Sequence, residues 1–147
     1  MNCYKEVFGY VKNPFNPKLI SRIYFKDVDL ILFFTKNHLP IINDLKNIKK
    51  PIIVHVILTL YKKDIEPNVP FKAEIVKGIK KISKIVGVDN LVVRYDPISL
   101  SKKYNIEYHI KVFDKLCGLL NDYVHKIIVS FIDDYKNVRK NKKTLNF

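Results

Sequence analysis

The residues best suited to chemistry stand at the end of one apolar segment. Residues 91–97 begin with a leucine and two valines and end in Arg94, Tyr95, Asp96 and Pro97, which is typical of a buried strand that ends in charged groups. In parallel α/β folds, ligands bind at the C-terminal ends of strands because loops and helix N-termini converge there. Arg94 and Asp96 could equally form a purely structural ion pair. Three other predicted strands also end in polar groups, which favours a ligand site.

Other catalytic and metal-binding patterns are missing from the sequence. The four histidines lack HExxH or any other short ligand spacing, and the four glycines form neither GxGxxG nor a phosphate-binding loop. Ser21 and Ser130 have no nucleophile-elbow motif around them. Asp133 and Asp134 are more typical of a helix N-terminal cap than of an acid–base or metal-binding pair. We therefore predict no metal site and no cofactor.

Length and composition predict one ordinary domain, residues 1–147. The chain is 48% hydrophobic and 28% charged, and no apolar run approaches the roughly 20 residues that span a bilayer. Its first residues lack the charged-then-apolar order of a secretory signal. Cys3 and Cys117 are too far apart in sequence for a CxxC site, and we expect free thiols. These features predict a cytoplasmic protein without a membrane partner.

The formal net charge of +13 is the strongest compositional signal. Such a charge attracts phosphate polymers by counterion release, which makes nucleic acid or a nucleoprotein complex the expected partner. Alternatively, the lysines form only a solvated surface of compositional origin. The contact candidates lie on a predicted helix and on the C-terminal tail, and they are Lys77, Lys80, Lys81, Lys84, Lys136, Arg139, Lys140, Lys142 and Lys143.

Apolar periodicity predicts an α/β fold of about four βα units. Strands are predicted at residues 28–36, 52–60, 91–97 and 126–132, the first of them buried on both faces. Helices are predicted at about 41–48, at 71–86 before Gly87, and after a cap at Asn105, with a short strand at 19–25 and a helix ending near Phe8. The result is a partial (β/α) barrel or a small open parallel sheet. Because its edge strands need a cover, we expect a homodimer.

Seven short motifs occur in order along the chain. They are YVKNPFNPK at 10–18, SR at 21–22, FTKN at 34–37, KDIEPNVP at 63–70, RYDP at 94–97, IEYH at 106–109 and SFID at 130–133. Together they resemble a bacterial family of uncharacterised proteins. That family is a domain of unknown function allied to radical S-adenosylmethionine enzymes and, more loosely, to spore photoproduct lyase.

The chain also departs from this family. Complete members begin with a strand leading into a Ser-Arg-Arg-Thr-Asp segment and end in a cysteine cluster associated with an iron–sulfur centre, and neither is found here. Phe34 and Val93 replace two tryptophans, and His38 replaces a proline. An iron–sulfur centre needs several clustered thiolates, which Cys3 and Cys117 do not supply. The resemblance therefore implies a barrel-derived domain without the redox centre.

The resemblance further implies one ligand pocket at the strand ends. Lysine and arginine beside carboxylates can bind a phosphate or carboxylate group, arginine through a bidentate fork. The alternative is a ring of ion pairs and caps that holds loops together. The residues that would face the pocket are Lys36, Thr59, Arg94, Asp96 and Asp133.

Three functions from different classes follow. The first is a non-catalytic basic binding protein derived from a radical-enzyme barrel, which contacts nucleic acid or a nucleoprotein complex as a phage or mobile-element inhibitor of a nucleic-acid-guided defence system. The second is half of a split radical enzyme that needs a cysteine-rich partner. The third is a cofactor-free small-molecule enzyme that uses Arg94, Asp96 and Lys36. We favour the first because the cysteines of the family chemistry are absent while the charge remains.

Overall fold

The chain forms a four-stranded parallel sheet preceded by an antiparallel hairpin. The computed structural model describes residues 8–13, 15–133 and 138–139, so the helix expected before Phe8 lies outside the described residues, and Phe8 itself begins a strand. The hairpin pairs β1 (Phe8–Lys12) with β2 (Ile20–Tyr24). The predicted strand at residues 19–25 is thus confirmed.

The parallel sheet has the strand order β3-β4-β5-β6, which is also the order along the chain. Its elements alternate as β3 (Ile31–Thr35), α1 (Ile42–Leu45), β4 (Ile52–Ile57), α2 (Lys72–Val86), β5 (Leu91–Ile98), α3 (Ile106–Leu120) and β6 (Lys126–Phe131). This confirms the predicted α/β class as an open β/α arrangement, in which the described residues form four parallel strands joined by three helical connections. None of the described helices is long and apolar enough to cross a membrane.

The core lies between one face of the sheet and the helices. Val54, Val56 and Val93 are fully buried on the strands, and Ile75 and Ile79 of α2 pack against them. Gly87 ends α2 with a φ of 86°, a conformation that favours glycine. The side chain of Asn105 accepts a hydrogen bond from the backbone N–H of Tyr108, which confirms the predicted cap of α3.

The prediction that the first parallel strand is buried on both faces is wrong. Residues alternate along β3, and Leu32 and Phe34 are 46% and 55% exposed, whereas Phe33 packs against the core. The reason is that β3 is an edge strand and, among the described residues, the helices cover only one face of the sheet. The segment also forms a strand only from Ile31, because Phe25–Asp27 make a 3-10 turn.

His38 lies four residues before α1 and is completely buried against α2. Its two ring nitrogens have no hydrogen-bond partner among the described residues. Its ring lies against Gly78, where a β-carbon would come within 2.2 Å of Nε2. Burial lowers the pKa of His38, and the nearby backbone of Ile75 offsets this only in part. The folded protein therefore holds a neutral imidazole at this position.

We expect the free energy of unfolding to decrease as the pH falls below about 6.5. Below this pH the histidines of the unfolded chain bind protons, whereas His38 in the folded chain stays neutral. Burial, followed by the charges of Arg94 and Lys126, lowers the pKa of His55 in the same direction as that of His38. Denaturant titrations between about pH 5 and 7 should show that the free energy of unfolding depends less on pH in His38→Asn than in the natural chain. Some dependence should remain, because His55 also has a lowered pKa. An unaltered slope in His38→Asn would contradict the account.

Candidate functional site

Glu66 is the centre of one ion-pair cluster at the C-terminal end of the sheet. It lies in the β4–α2 loop (residues 58–71), and only 8% of its surface is exposed. Its Oε1 accepts hydrogen bonds from Lys36 Nζ at 2.5 Å and from Thr59 Oγ1 at 2.6 Å. Its Oε2 accepts one from Lys72 at the start of α2. One carboxylate thus joins the ends of β3 and β4 to the first turn of α2.

Asp96 is the centre of a second cluster. Arg94 and Asp96 are two residues apart on β5 and so project from the same face of the sheet. Nε and Nη2 of Arg94 donate to Asp96 Oδ2 at 3.0 and 2.6 Å, and Ser130 of β6 donates to Oδ1. The guanidinium carbon of Arg94 lies 5.9 Å from the ring centre of Phe34 on β3. The peptide bond between Asp96 and Pro97 is cis.

These clusters contain four of the five residues predicted to line a pocket. Lys36 and Thr59 meet at Glu66, and Arg94 and Asp96 bind each other, as in the alternative in which ion pairs hold the loops. Asp133 is exposed and lies two residues beyond β6. A ligand-binding role for these five residues stays a prediction.

Sequence reasoning missed three members of the clusters, namely Glu66, Lys72 and Ser130. The prediction considered residues at strand ends, whereas Glu66, the partner of Thr59, lies in the loop that follows β4. A usable signal was available in the composition. The chain has 27 lysines and arginines but only 14 acids, so an acid flanked by Ile65 and Pro67 in this loop has many potential cationic partners. Ser130 could have been found from its alternation along β6, which places it on the same face as Arg94.

Both carboxylates are held in the ionised form. Burial of Glu66 opposes ionisation, but the hydrogen bonds from Lys36, Lys72 and Thr59 outweigh it and lower the pKa of Glu66. The Ser130 hydroxyl, against a smaller opposing effect of burial and together with Arg94, lowers the pKa of Asp96. A carboxylate with a lowered pKa is a weak general base at neutral pH. The clusters are therefore better built to hold loops and charges in place than to move protons.

Tyrosine hydroxyls fix the β4–α2 loop to the rest of the chain. Tyr61 donates to the carbonyl of Pro97 at 3.0 Å and accepts from the backbone N–H of Ser99 at 2.6 Å. Tyr108 of α3 donates to the carbonyl of Leu60 at 2.5 Å. The β4–α2 loop is thus attached to both the end of β5 and the beginning of α3. These attachments fix the positions of the loop residues.

A second group of bonds holds the middle of the same loop. Tyr104 donates to Asp64 Oδ1 at 2.6 Å and accepts from the backbone N–H of Lys62 at 3.1 Å. Lys103 donates to Asp64 Oδ2 at 2.5 Å. The hydrogen bond from Lys103, followed by that from Tyr104, lowers the pKa of Asp64 to about 2. Asp64 therefore stays ionised, and the loop keeps this attachment across the neutral pH range.

His109 links β5 to α3 in one tautomer. Its Nε2 lies 3.2 Å from the carbonyl oxygen of Ser99, which can only accept, so Nε2 carries the proton. Nδ1 then accepts a hydrogen bond from the hydroxyl of Tyr95 at 2.7 Å. His109 is thus a satisfied buried residue, and no group of three or more His, Cys, Asp or Glu side chains in the described ranges is placed to hold a metal ion.

Three of the four α2 lysines predicted to contact nucleic acid are exposed on one side of the helix. Within the described part of the chain, Lys77, Lys81 and Lys84 make no side-chain hydrogen bond or ion pair, and we call them the α2 lysine face. Lys80 is half-buried, with Nζ 4.5 Å from the ring centre of Tyr123. The tail candidate Arg139 is exposed. The remaining tail candidates, Lys136, Lys140, Lys142 and Lys143, lie outside the described residues.

A family model described as a domain of unknown function, DUF1848, matches residues 1–147. No curated protein and no solved structure matches the chain.

Proposed function

The chain belongs to the DUF1848 family, and from its own geometry we propose that it binds nucleic acid through the α2 lysine face. The observation that carries this proposal is the arrangement of Lys77, Lys81 and Lys84 as exposed cations along one side of α2. Residues three and four apart on a helix are neighbours on its surface, so the three ammonium groups form one row. A row of cations is suited to follow a phosphate backbone.

The charge on α2 is not balanced within the helix. Its 15 residues contain five lysines and one acid, Glu74, which precedes the α2 lysine face. The buried side of the same helix carries isoleucines, so folding itself places the lysines outward. Binding through such a surface releases counterions and should depend steeply on salt. Since the three lysines have no acidic partner in the described part of the chain, no ion pair has to break before they bind phosphate.

The test is the affinity for short single-stranded and duplex DNA and RNA, measured by fluorescence anisotropy over a salt series. We expect charge reversal of the α2 lysine face to reduce the affinity by more than about tenfold at low salt. The slope of log K against log salt concentration should decrease in magnitude by about two to three, because each lost phosphate contact reduces this slope by nearly one. The variant carries Lys77→Glu, Lys81→Glu and Lys84→Glu.

A matched control separates a local surface from the overall charge. The charges of three exposed lysines elsewhere can be reversed in the same way, one each on the hairpin loop, after α1 and before α3. Both triple variants then carry a formal charge of +7 instead of +13, because each Lys→Glu change lowers the charge by two. Equal losses in the two variants would overturn the proposed surface and assign the charge to composition. The control changes are Lys18→Glu, Lys46→Glu and Lys102→Glu.

The proposal also includes the origin of the domain. A non-catalytic domain derived from a radical-enzyme barrel is supported by the parallel order of β3 to β6 and by the two cysteines in 147 residues, too few for an iron–sulfur centre. An inhibitor that contacts a nucleic-acid-guided complex would use the same basic face. The proposed small-molecule pocket at Arg94 has weaker support, because Asp96 already occupies two of its nitrogens.

A further inference from the structure

A cavity lies beneath the β4–α2 loop, between the N-terminal half of α2 and α3. Its volume is about 480 Å³, which is in the range of small-molecule sites. The exposed ring of Phe71 and the ring of Tyr108 also border it. The wall is mostly apolar, and the residues that form it include Leu60, Val69, Ala73, Val76, Val112 and Leu116.

The rim of this cavity is strongly basic. Lys62 and Lys115 are exposed there and, among the described residues, have no side-chain hydrogen bond or ion pair. Lys63 and Lys72 also border the cavity. Glu66 is the only acid among the lining residues, and two lysines already neutralise it. The cavity therefore combines an apolar interior with an excess of positive charge at its entrance.

The cavity is formed before any ligand arrives. Tyr61, Tyr104 and Tyr108 fix the loop above it, as their hydrogen bonds to Pro97, Asp64 and Leu60 show. Lys63 stiffens the loop further by donating to the carbonyls of Pro67 and Val69 at 3.0 and 2.5 Å. A preformed site avoids the ordering cost that a mobile loop would add to binding.

We infer that this cavity receives an unstacked base of a single-stranded nucleic acid. Every base has an apolar π-face that an aromatic, mostly non-polar pocket accepts, and the phosphates on either side would meet Lys62 and Lys115 at the rim. Ala73 lines the cavity, and Lys77, the first residue of the α2 lysine face, lies four residues further along α2 and is its neighbour on the helix surface. The strand would continue from the cavity along α2 for about 18 Å, the rise of twelve helical residues.

This inference rests on the proposed function and adds a preference for single strands. A base inside a duplex is stacked and paired, so its face cannot enter the cavity without an unstacking cost. Few polar side chains line the wall, so the site should accept different bases with little discrimination.

The experiment compares an oligothymidylate with an abasic oligomer of the same length and charge. We expect the natural chain to bind the oligomer with bases about tenfold more tightly, because stacking of a base on aromatic groups contributes about this much. Ala73→Trp places a large side chain at an exposed helix position on the cavity wall and should remove the preference. Phe71→Ala, which removes an exposed ring, should reduce it severalfold.

The control is Leu119→Trp, which adds the same side chain at an exposed position of α3 outside the cavity and should keep the preference. Charge reversal of the α2 lysine face should weaken the binding of both oligomers and leave the ratio of their affinities unchanged.

Equal affinity of the natural chain for both oligomers would overturn the base site while leaving the lysine proposal intact. Retention of the preference in both Ala73→Trp and Phe71→Ala would also overturn it. Failure of either oligomer to bind would overturn the proposed function and the inference together.

Discussion

Replacing Gly78 with alanine should lower the free energy of unfolding by about 3 kcal/mol or more, although alanine normally favours a helix by about 1 kcal/mol over glycine. A β-carbon at this position would lie 2.2 Å from Nε2 and 2.8 Å from Cδ2 of His38, and 3.0 Å from Cδ2 of Leu39. The His38 ring is completely buried and cannot swing into solvent. The segment that carries His38 and Leu39 must therefore move away from α2. Urea or thermal unfolding followed by circular dichroism measures the effect.

Gly118 provides the matched control on the neighbouring helix. It lies in α3, is exposed, and has no atom within 4 Å of an added β-carbon. Gly118→Ala should therefore stabilise the protein by about 0.5–1 kcal/mol through helix propensity alone. If both substitutions stabilised the protein, the close contact between His38 and α2 would be refuted. The double change Gly78→Ala with His38→Ala should cost less than the sum of the two single changes, because the added β-carbon then meets no ring.

Replacing Glu66 with alanine should lower the free energy of unfolding by about 2–3 kcal/mol, because it leaves the partners of a buried carboxylate unpaired. Lys36 and Lys72 would lose their ion pairs, and the hydroxyl of Thr59 would lose its acceptor. The loss stays below the full cost of breaking a buried pair because the two lysine side chains are 40% and 26% exposed and can be hydrated again. Chemical denaturation of the two proteins at neutral pH measures the difference.

The same variant has a defined pH dependence. The pKa of Glu66 is lowered in the folded chain, so its contribution is full above the ordinary value of about 4.5 and is lost as the pH falls through the lowered value. The difference in the free energy of unfolding between the natural chain and Glu66→Ala should therefore become smaller at acidic pH.

Glu74→Ala is the control for this variant. It removes an exposed acid of α2 and should lower the free energy of unfolding by less than about 0.5 kcal/mol. Similar losses for the two glutamates would contradict the assigned role of Glu66.

Local patterns predicted most of the fold because the forces that set them are local. Isoleucines at 3.6-residue spacing defined α2, and the positive φ of Gly87 explains where it ends. The Asn105 cap acts on an N–H only three residues away. The burial of β3 was wrong because an apolar run records hydrophobicity but not whether a second layer covers the strand. The exposed Leu32 and Phe34 are the result.

The candidate site was harder to predict because its bonds are not local. Glu66 meets Lys36 across 30 residues, and Tyr61 meets Pro97 across 36. Alternation on a strand placed Arg94 and Asp96 on one face, whereas the contact of Ser130 with the second oxygen of Asp96 also depends on the pairing of β5 with β6. The cavity beneath the β4–α2 loop depends on tyrosines from three segments, so no single stretch of sequence indicated it.

The most direct test of nucleic-acid binding is the acetylation rate of each lysine, measured by mass spectrometry with and without a saturating single-stranded oligonucleotide. The account predicts that Lys77, Lys81 and Lys84 become protected, while Lys18 and Lys46 react at unchanged rates because they are exposed on other surfaces. Uniform protection of all lysines, or protection confined to surfaces away from α2, would contradict the assignment of the nucleic-acid interface to the α2 lysine face.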